Sequence, residues 1–517
     1  MANVQLFQSL KNKFLPVATA VNAEGAPAYV LTPKHRLAQY AATGCLSATF
    51  YASAEAQLAT VMELCLDMDP RFIAQTAVYC RERGYMKDMP VLLAAVLAAQ
   101  GRAELAPVFK RVIDNGKMLR NFVQIIRSGA AGRKSLGTRP KKLVQAWLNN
   151  ASEKALLSAA VGNSPSLADV VKMVHPKPSE PWRAAFFAWL IGKPYQLESL
   201  PPVLAAFEAY KRDRGQPLPE VPFQMLTALE LSPQAWAQIA AQGGWHMVRM
   251  NLNTFAQHDV YAIPGAVQAI AAKLRDAESI AKAKVFPYQL LSAYKAATDD
   301  VPTLIRDALQ DALEIALTNV PQIEGRVVVC PDVSGSMSSP VTGYRSGATS
   351  SVRCIDVAGL VAAAMLRKNP DAEVMPFAVD VVQCVLNNRD TVMTNAQKLA
   401  AIGGGGTNCS APLARMNKNK TKAELVVLVS DNESWIDANR HGGTETMRQW
   451  QMFKQRNPQA KLVCIDLTPH ATTQAKEQAD VLNIGGFSDD VFKIIAAFAA
   501  GQLGAAHWLG EIEAIDI

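Results

Sequence analysis

Three oxygen-bearing side chains alternate along Asp332-Val-Ser334-Gly-Ser336, directly after the β-branched run Val327-Val-Val-Cys330. Such an alternating set can aim at one point. Carboxylate and hydroxyl oxygens are the ligands that a small hard cation such as Mg2+ prefers, and that cation usually keeps waters or takes a ligand from a partner. Two further donors stand in similar settings: Thr407, inside Gly403-Gly-Gly-Gly406-Thr407-Asn408, and Asp431, closing the run Leu425-Val-Val-Leu-Val-Ser430. All five lie at strand exits or in a glycine-rich loop. In an open parallel sheet, the carboxyl ends of the strands form the ligand crevice.

A second chemistry is written in charge. The chain of 517 residues has a formal net charge of +7, and residues 1–320 hold 34 Lys/Arg against 25 Asp/Glu. Between Arg102 and Lys142 there are 11 basic residues against only Glu104 and Asp114. Concentrated positive charge is an electrostatic footprint for polyanions, nucleic acid first among them. Lys117, Arg120 and Arg127 punctuate expected helices, where solvated faces are the plainer reading, while Arg133, Lys134, Arg139, Lys141 and Lys142 crowd a turn and the helix start after it. Pro140 suits the first position of that helix, which places Thr138 and Arg139 at a mouth whose free N–H groups favour phosphate. Gly132-Arg-Lys-Ser135 is no P-loop, because Gly and Lys are not contiguous and no buried strand precedes them.

Enzyme chemistry finds little support. Ser334 and Ser336 are outside any Gly-x-Ser-x-Gly, and the seven histidines include no His-Glu-x-x-His. Apolar content of 50% with 19% charged residues is that of an ordinary soluble globular protein. Eight cysteines without a Cys-x-x-Cys pair, and an N-terminus lacking the build of a signal peptide, read as free thiols in a reducing cytoplasm. The longest apolar runs, such as Val91–Ala99, fall short of the roughly 20 residues a bilayer demands.

These groups must be positioned by two kinds of element. From Thr32 to about Leu317 the pattern is helical, with Asp69-Pro70 as a helix start, Gly84 at a helix end, and glycines 101, 116 and 129 closing helices in succession. Short helices in series suggest a stacked array of the HEAT kind. Near residue 320 the composition changes, and expected strands (326–330, 373–379, 381–386, 425–430, 462–467, 481–484) alternate with helices (352–368, 395–402, 444–455, 489–498). That alternation predicts a doubly wound α/β domain. The expected division is therefore 1–320, helical and RNA-binding, and 321–517, α/β and metal-binding; the first thirty residues read as irregular, and the tail from Gly501 has no clear periodicity.

The set Asp332, Ser334, Ser336, Thr407 and Asp431 resembles the metal-ion-dependent adhesion site of von Willebrand factor A domains. Gly132–Lys141, Val174-His175-Pro-Lys-Pro178, Arg249-Met-Asn-Leu-Asn-Thr-Phe255 and Val285-Phe-Pro-Tyr-Gln-Leu290 look like segments of the TROVE domain. With an A domain following, the stretch from roughly Thr32 to Phe498 is similar to the Ro autoantigen family and its bacterial members. That resemblance implies a monomeric ring of HEAT-like repeats whose ends the A domain holds together. It implies a basic hole for single-stranded ends of misfolded noncoding RNA, an outer surface for Y RNA, and an exoribonuclease partner such as polynucleotide phosphorylase. On the same ground His175 matches a position of the outer RNA surface, although a histidine in a His-Pro turn is equally a capping residue. Ala155–Asn163 is neutral where animal members place basic residues, and Asn408 stands where Asp is common. The competing reading is a protein-interaction scaffold that uses both the array and the metal loop to bind proteins rather than RNA.

Overall fold

The computed structural model describes residues 15–517 except 44–45, 50, 284, 286, 318–319, 345–351, 436–442 and 505. Most of the amino-terminal stretch read against a signal peptide, Cys45 and Phe286 of the Val285–Leu290 motif lie outside the described residues. By internal contacts the chain forms two compact units, one of residues up to Met68 with Ala271–Ala514, the other of Asp69–Ile270 with Ile515–Ile517. This division does not follow the composition change near residue 320. Helix Pro287–Ala296 packs against helix Cys354–Lys368, and helix Thr303–Ala316 against Val392–Ala400, which draws the last helices before the sheet into the sheet's own unit.

The Asp69–Ile270 unit is helical throughout its described residues. Its first seven helices are α1 (Pro70–Glu82), α2 (Asp88–Ala99), α3 (Leu105–Val112), α4 (Gly116–Ser128), α5 (Thr138–Asn150), α6 (Glu153–Ala160) and α7 (Leu167–Val174). Local chemistry sets their ends. Asp69 Oδ1 accepts from Arg71 N at 2.9 Å, with Pro70 at the first position of α1. Asn115 Oδ1 accepts from Met118 N at 3.1 Å, and Gly129, at φ +84°, closes α4. Ser166 and Asp169 form a reciprocal capping box on α7. Between helices lies an apolar core that includes Leu93, Val96, Val108, Leu119 and Phe122, all fully buried, with Phe109 edge-on to Phe122 at 5.1 Å.

Two helix boundaries differ from the sequence reading. Gly116 opens α4 rather than closing a helix; a Cβ there would meet Ala159 Cβ at 2.1 Å, so glycine is what lets α4 approach α6. Pro140 is the third residue of α5, not the first. The first turn of a helix leaves its N–H groups without carbonyl partners, so proline is tolerated there too, and the earliest bond of α5 is Lys141 N to Gly137 O at 3.2 Å.

The other unit is built on five parallel strands: β3 (Val327–Pro331), β4 (Glu373–Val374), β5 (Leu425–Ser430), β6 (Lys461–Asp466) and β8 (Val481–Gly485), in the order β4-β3-β5-β6-β8. β3, β5 and β8 are buried along their whole length, which is why β3 and β5 read as apolar runs, whereas Asn483 interrupts β8. A small antiparallel sheet of β1 (Ala20–Val21), β2 (Pro27–Val30) and β7 (Thr472–Thr473) accompanies it, so residues 20–30 are not irregular as expected. The expected strand 381–386 does not form. Ala378 N bonds Asp380 O and Val382 N bonds Pro376 O, so the chain reverses there instead of joining the sheet. Helix Ala411–Lys418 was not foreseen, and the tail holds helix His507–Glu513. No helix of the described residues is long and apolar enough to cross a membrane, and no disulfide joins the described cysteines.

Beside β8, burial pushes the Glu477 carboxyl up to about 7, although its Oε2 accepts from Asn483 N at 2.8 Å and Nδ2 at 2.7 Å. A carboxyl raised in the folded state contributes stability that is complete below its unfolded value of about 4.3 and is lost as pH rises through 7. Glu477→Gln keeps an acceptor for Asn483 and removes the ionisation. We expect it to stabilise the protein at pH 8 on the order of 2 kcal/mol and to have little effect near pH 5. Urea midpoints at both pH values check this; an equal effect at both contradicts it.

Candidate nucleic-acid interface and metal loop

α4, α5 and α7 frame a cleft of about 990 Å³. Five cations line it: Arg127 in the last turn of α4, Lys134 in the following loop, Lys141 and Lys142 on α5, and Lys172 on α7. Asp169 is the carboxylate among its lining residues, and it is engaged by Ser166 N at 2.9 Å and Ser166 Oγ at 2.7 Å. Gln145 Nε2 donates to Val174 O at 2.6 Å and ties α5 to the end of α7. His175 follows as an exposed cap in the left-handed region, φ +51°, its own carbonyl 3.4 Å from Gln145 Nε2. Both roles weighed for His175 are thus compatible with its place.

Sequence reasoning grouped other cations here that the structure uses differently. Arg139 donates to Arg102 O at 2.9 Å and Ala103 O at 2.8 Å. Arg133 donates to Ser135 O at 2.8 Å and Ala98 O at 3.4 Å, and a Cβ on Gly137 would fall 2.1 Å from its guanidinium. Arg120 lies half-buried against Gly162, with Nη1 3.4 Å from Pro165 O, and its removal from water lowers its value. These three arginines clamp loops. Lys117 sits at the opposite end of α4 from Arg127 and does not line the cleft. Lys172 was missed; the signal was present in the Ser166-x-x-Asp169 helix start, which puts 169 and 172 on one face at i, i+3 spacing.

In the sheet unit, Asp332 follows β3 and Asp431 follows β5, neighbouring strands on either side of the point where the strand order reverses. Asp332 Oδ1 accepts from Ser334 N at 2.8 Å, and Oδ2 from Ser430 Oγ at 2.6 Å. Ser334 and Ser336 hydroxyls are 3.3 Å apart. The glycine-rich loop is stitched to this one by Gly335 N to Gly405 O at 2.9 Å and Gly404 N to Val333 O at 3.0 Å, with Gly404 at φ +116° and Gly405 at +86°. Thr407, directly after the glycines, is buried. Asn408 has a turn role: Oδ1 accepts from Ser410 N and Oγ while Nδ2 donates to Val379 O at 3.1 Å, a bond aspartate could not make.

Both acidic groups are buried. Burial, followed by repulsion from Asp431, pushes Asp332 up to about 7, and burial raises Asp431 too. Asp431 Oδ1 is buried with no hydrogen-bond partner. An orphaned carboxylate oxygen beside a second buried carboxylate and two hydroxyls is the donor set of a hard divalent cation. Among the described residues no group of three or more His, Cys, Asp or Glu side chains is arranged for a metal, so hydroxyls must make up the set. The residues fit the ion.

Residues 326–499 match the family model described as the Ro60 vWA domain, a span that contains all five metal-loop residues. The chain is 24% identical to the RNA-binding protein RO60 of Deinococcus radiodurans over 93% of its own length and 95% of that protein. Over nearly its whole length the chain is similar to Ro proteins. A Ro60 protein of Caenorhabditis elegans, also named RNA-binding, is 23% identical over 46% of this chain and 37% of its own. The crystal structure of the Deinococcus Ro protein superposes with a TM-score of 0.61 at 21% identity, covering 91% of this chain and all of the other. The Ro fold, helical part and A domain, is therefore present here.

Proposed function

We propose that this chain binds RNA through the α4/α5/α7 cleft and captures unpaired ends of misfolded or structured noncoding RNA for maturation or decay. The observation that carries the reading is the cleft itself: five cations face one hollow whose sole lining carboxylate is already engaged. Its relatives' names as RNA-binding proteins support the same reading. Lysine and arginine contacts to phosphate give affinity without regard to sequence, which suits a protein meeting many RNAs. Asp169 is held by Ser166 as a helix cap, and the reading is of a binder that hands RNA to an exoribonuclease rather than of an enzyme. A Y-like RNA is a further ligand of this reading, with His175 and Lys172 at the edge it would contact.

In the same reading Asp332, Ser334, Ser336, Thr407 and Asp431 hold a divalent cation, Mg2+ by ligand preference. The bound ion supplies a positive centre that can accept an anionic group from a protein partner. The backbone bonds that stitch the glycine loop to Gly335 keep the hydroxyls of Ser334 and Ser336 beside the two carboxylates.

End capture is tested with one RNA sequence in linear and circular form. The linear form, with a free single-stranded 3′ tail, is expected to bind at least tenfold tighter. Equal affinity would leave RNA binding in place and remove selection of ends.

A further inference from the structure

Two loops of the helical unit carry cations that the cleft does not use. Lys87 directly precedes α2, and Lys117 lies in the first turn of α4. Arg81 fixes these loops together: Nη1 donates to Met86 O at 2.9 Å, while Nε and Nη2 hold Asp114 Oδ2 at 3.0 and 2.6 Å. Across the packing of α2 and α4, Asn121 Nδ2 stands 3.4 Å from Asp88 Oδ1. Neither the Lys87 nor the Lys117 ammonium has a hydrogen bond or ion pair among the described residues.

That arrangement is electrostatically unfavourable in the free protein. Loss of solvent holds the Lys87 ammonium below the ordinary lysine range, and Lys117, Arg81 and Arg249 add to the effect; Asp88 alone opposes it. Asp114 is taken by Arg81, and Arg249 stands over the Trp245 ring at 5.9 Å. Lysines at the amino ends of two helices also meet the positive end of each dipole. Lys87 and Lys117, like charges on two loops that Arg81 holds together, are stabilised by an anion.

We propose that Lys87 and Lys117 form a second phosphate-binding point for the backbone of the RNA that occupies the cleft. This rests on the RNA-binding reading above. Lys117 and Arg127 lie near opposite ends of α4, ten residues apart or about 15 Å along a helix, so a strand running beside α4 meets both points. A trinucleotide reaches only one of them.

Binding of a fluorescent single-stranded oligonucleotide to the full chain, at several salt concentrations, tests the proposal in a Lys87→Gln/Lys117→Gln variant. Two lost phosphate contacts on single-stranded RNA correspond to a log–log salt slope shallower by about 1.4 and an affinity about 25-fold weaker near 0.1 M salt. Trinucleotide binding at the cleft stays as in the unaltered chain. The thermal midpoint of the free variant stays level or rises, since repulsion is relieved; a fall would make these lysines supports of the fold and overturn the proposal. Unchanged affinity for the long oligonucleotide, with a Lys134/Lys141/Lys142 variant still impaired, overturns this site and leaves the RNA reading standing. No RNA binding by the unaltered chain defeats both.

Discussion

Replacing Lys134, Lys141 and Lys142 together with glutamine is expected to weaken single-stranded RNA binding by about 100-fold near 0.1 M salt, since each lost phosphate contact removes about 0.7 of a logarithmic unit. The fold should survive, because Lys134 and Lys142 are exposed and none of the three side chains makes a hydrogen bond or ion pair among the described residues. Arg133 and Arg139 are poor choices for the same experiment. Each holds two backbone carbonyls, so Arg139→Gln frees Arg102 O and Ala103 O and should lower the urea midpoint while leaving RNA affinity nearly unchanged. Comparing the two variants separates charge that meets the ligand from charge that holds the loop.

Mg2+ is expected to raise the thermal midpoint of the protein and chelator to reverse it. At a hundredfold excess over the dissociation constant, a ligand that binds only the folded state adds about 2.7 kcal/mol, a rise of several degrees for a unit of this size. Asp332→Ala removes the response, because the remaining carboxylate and hydroxyls no longer form a dianionic set around the site. RNA affinity of that variant should match the unaltered chain, since the cleft lies in the other unit. A midpoint indifferent to Mg2+ and chelator would count against the metal reading. A large RNA defect in folded Asp332→Ala would count against the separation of the two sites.

How legible these sites were in the sequence follows from what holds them. The placing of Asp332 beside Asp431 could be read, because both follow strands that are apolar runs, and a parallel sheet brings the ends of neighbouring strands together. The missing part was the stitching of Gly404 and Gly405 to Val333 and Gly335, which is made by backbone atoms and has no residue signature. Basic charge between 102 and 142 was equally visible, but its division was not. Arg139 finds its acceptors 36 and 37 residues away and Arg133 reaches back 35, again to carbonyls that any residue could supply. Lys172 escaped notice because it enters the cleft from α7, outside the dense segment. The alternation at 381–386 resembles a strand, yet the reversal at 378–382 turns it away from the ladder. The break near residue 320 marked where strands begin, whereas compactness followed the packing of the preceding helices on Cys354–Lys368 and Val392–Ala400.

The central claim is that the cleft meets phosphate. Its most direct test is the affinity of the full chain for an unpaired RNA oligonucleotide as salt is raised, beside the Lys134/Lys141/Lys142 variant. Five cleft cations predict that log K falls linearly with log salt at a slope of about −3.5 or steeper, with the variant shallower by about 2. A flat salt response, or no binding in dilute buffer, would contradict the account and favour a scaffold that binds proteins alone.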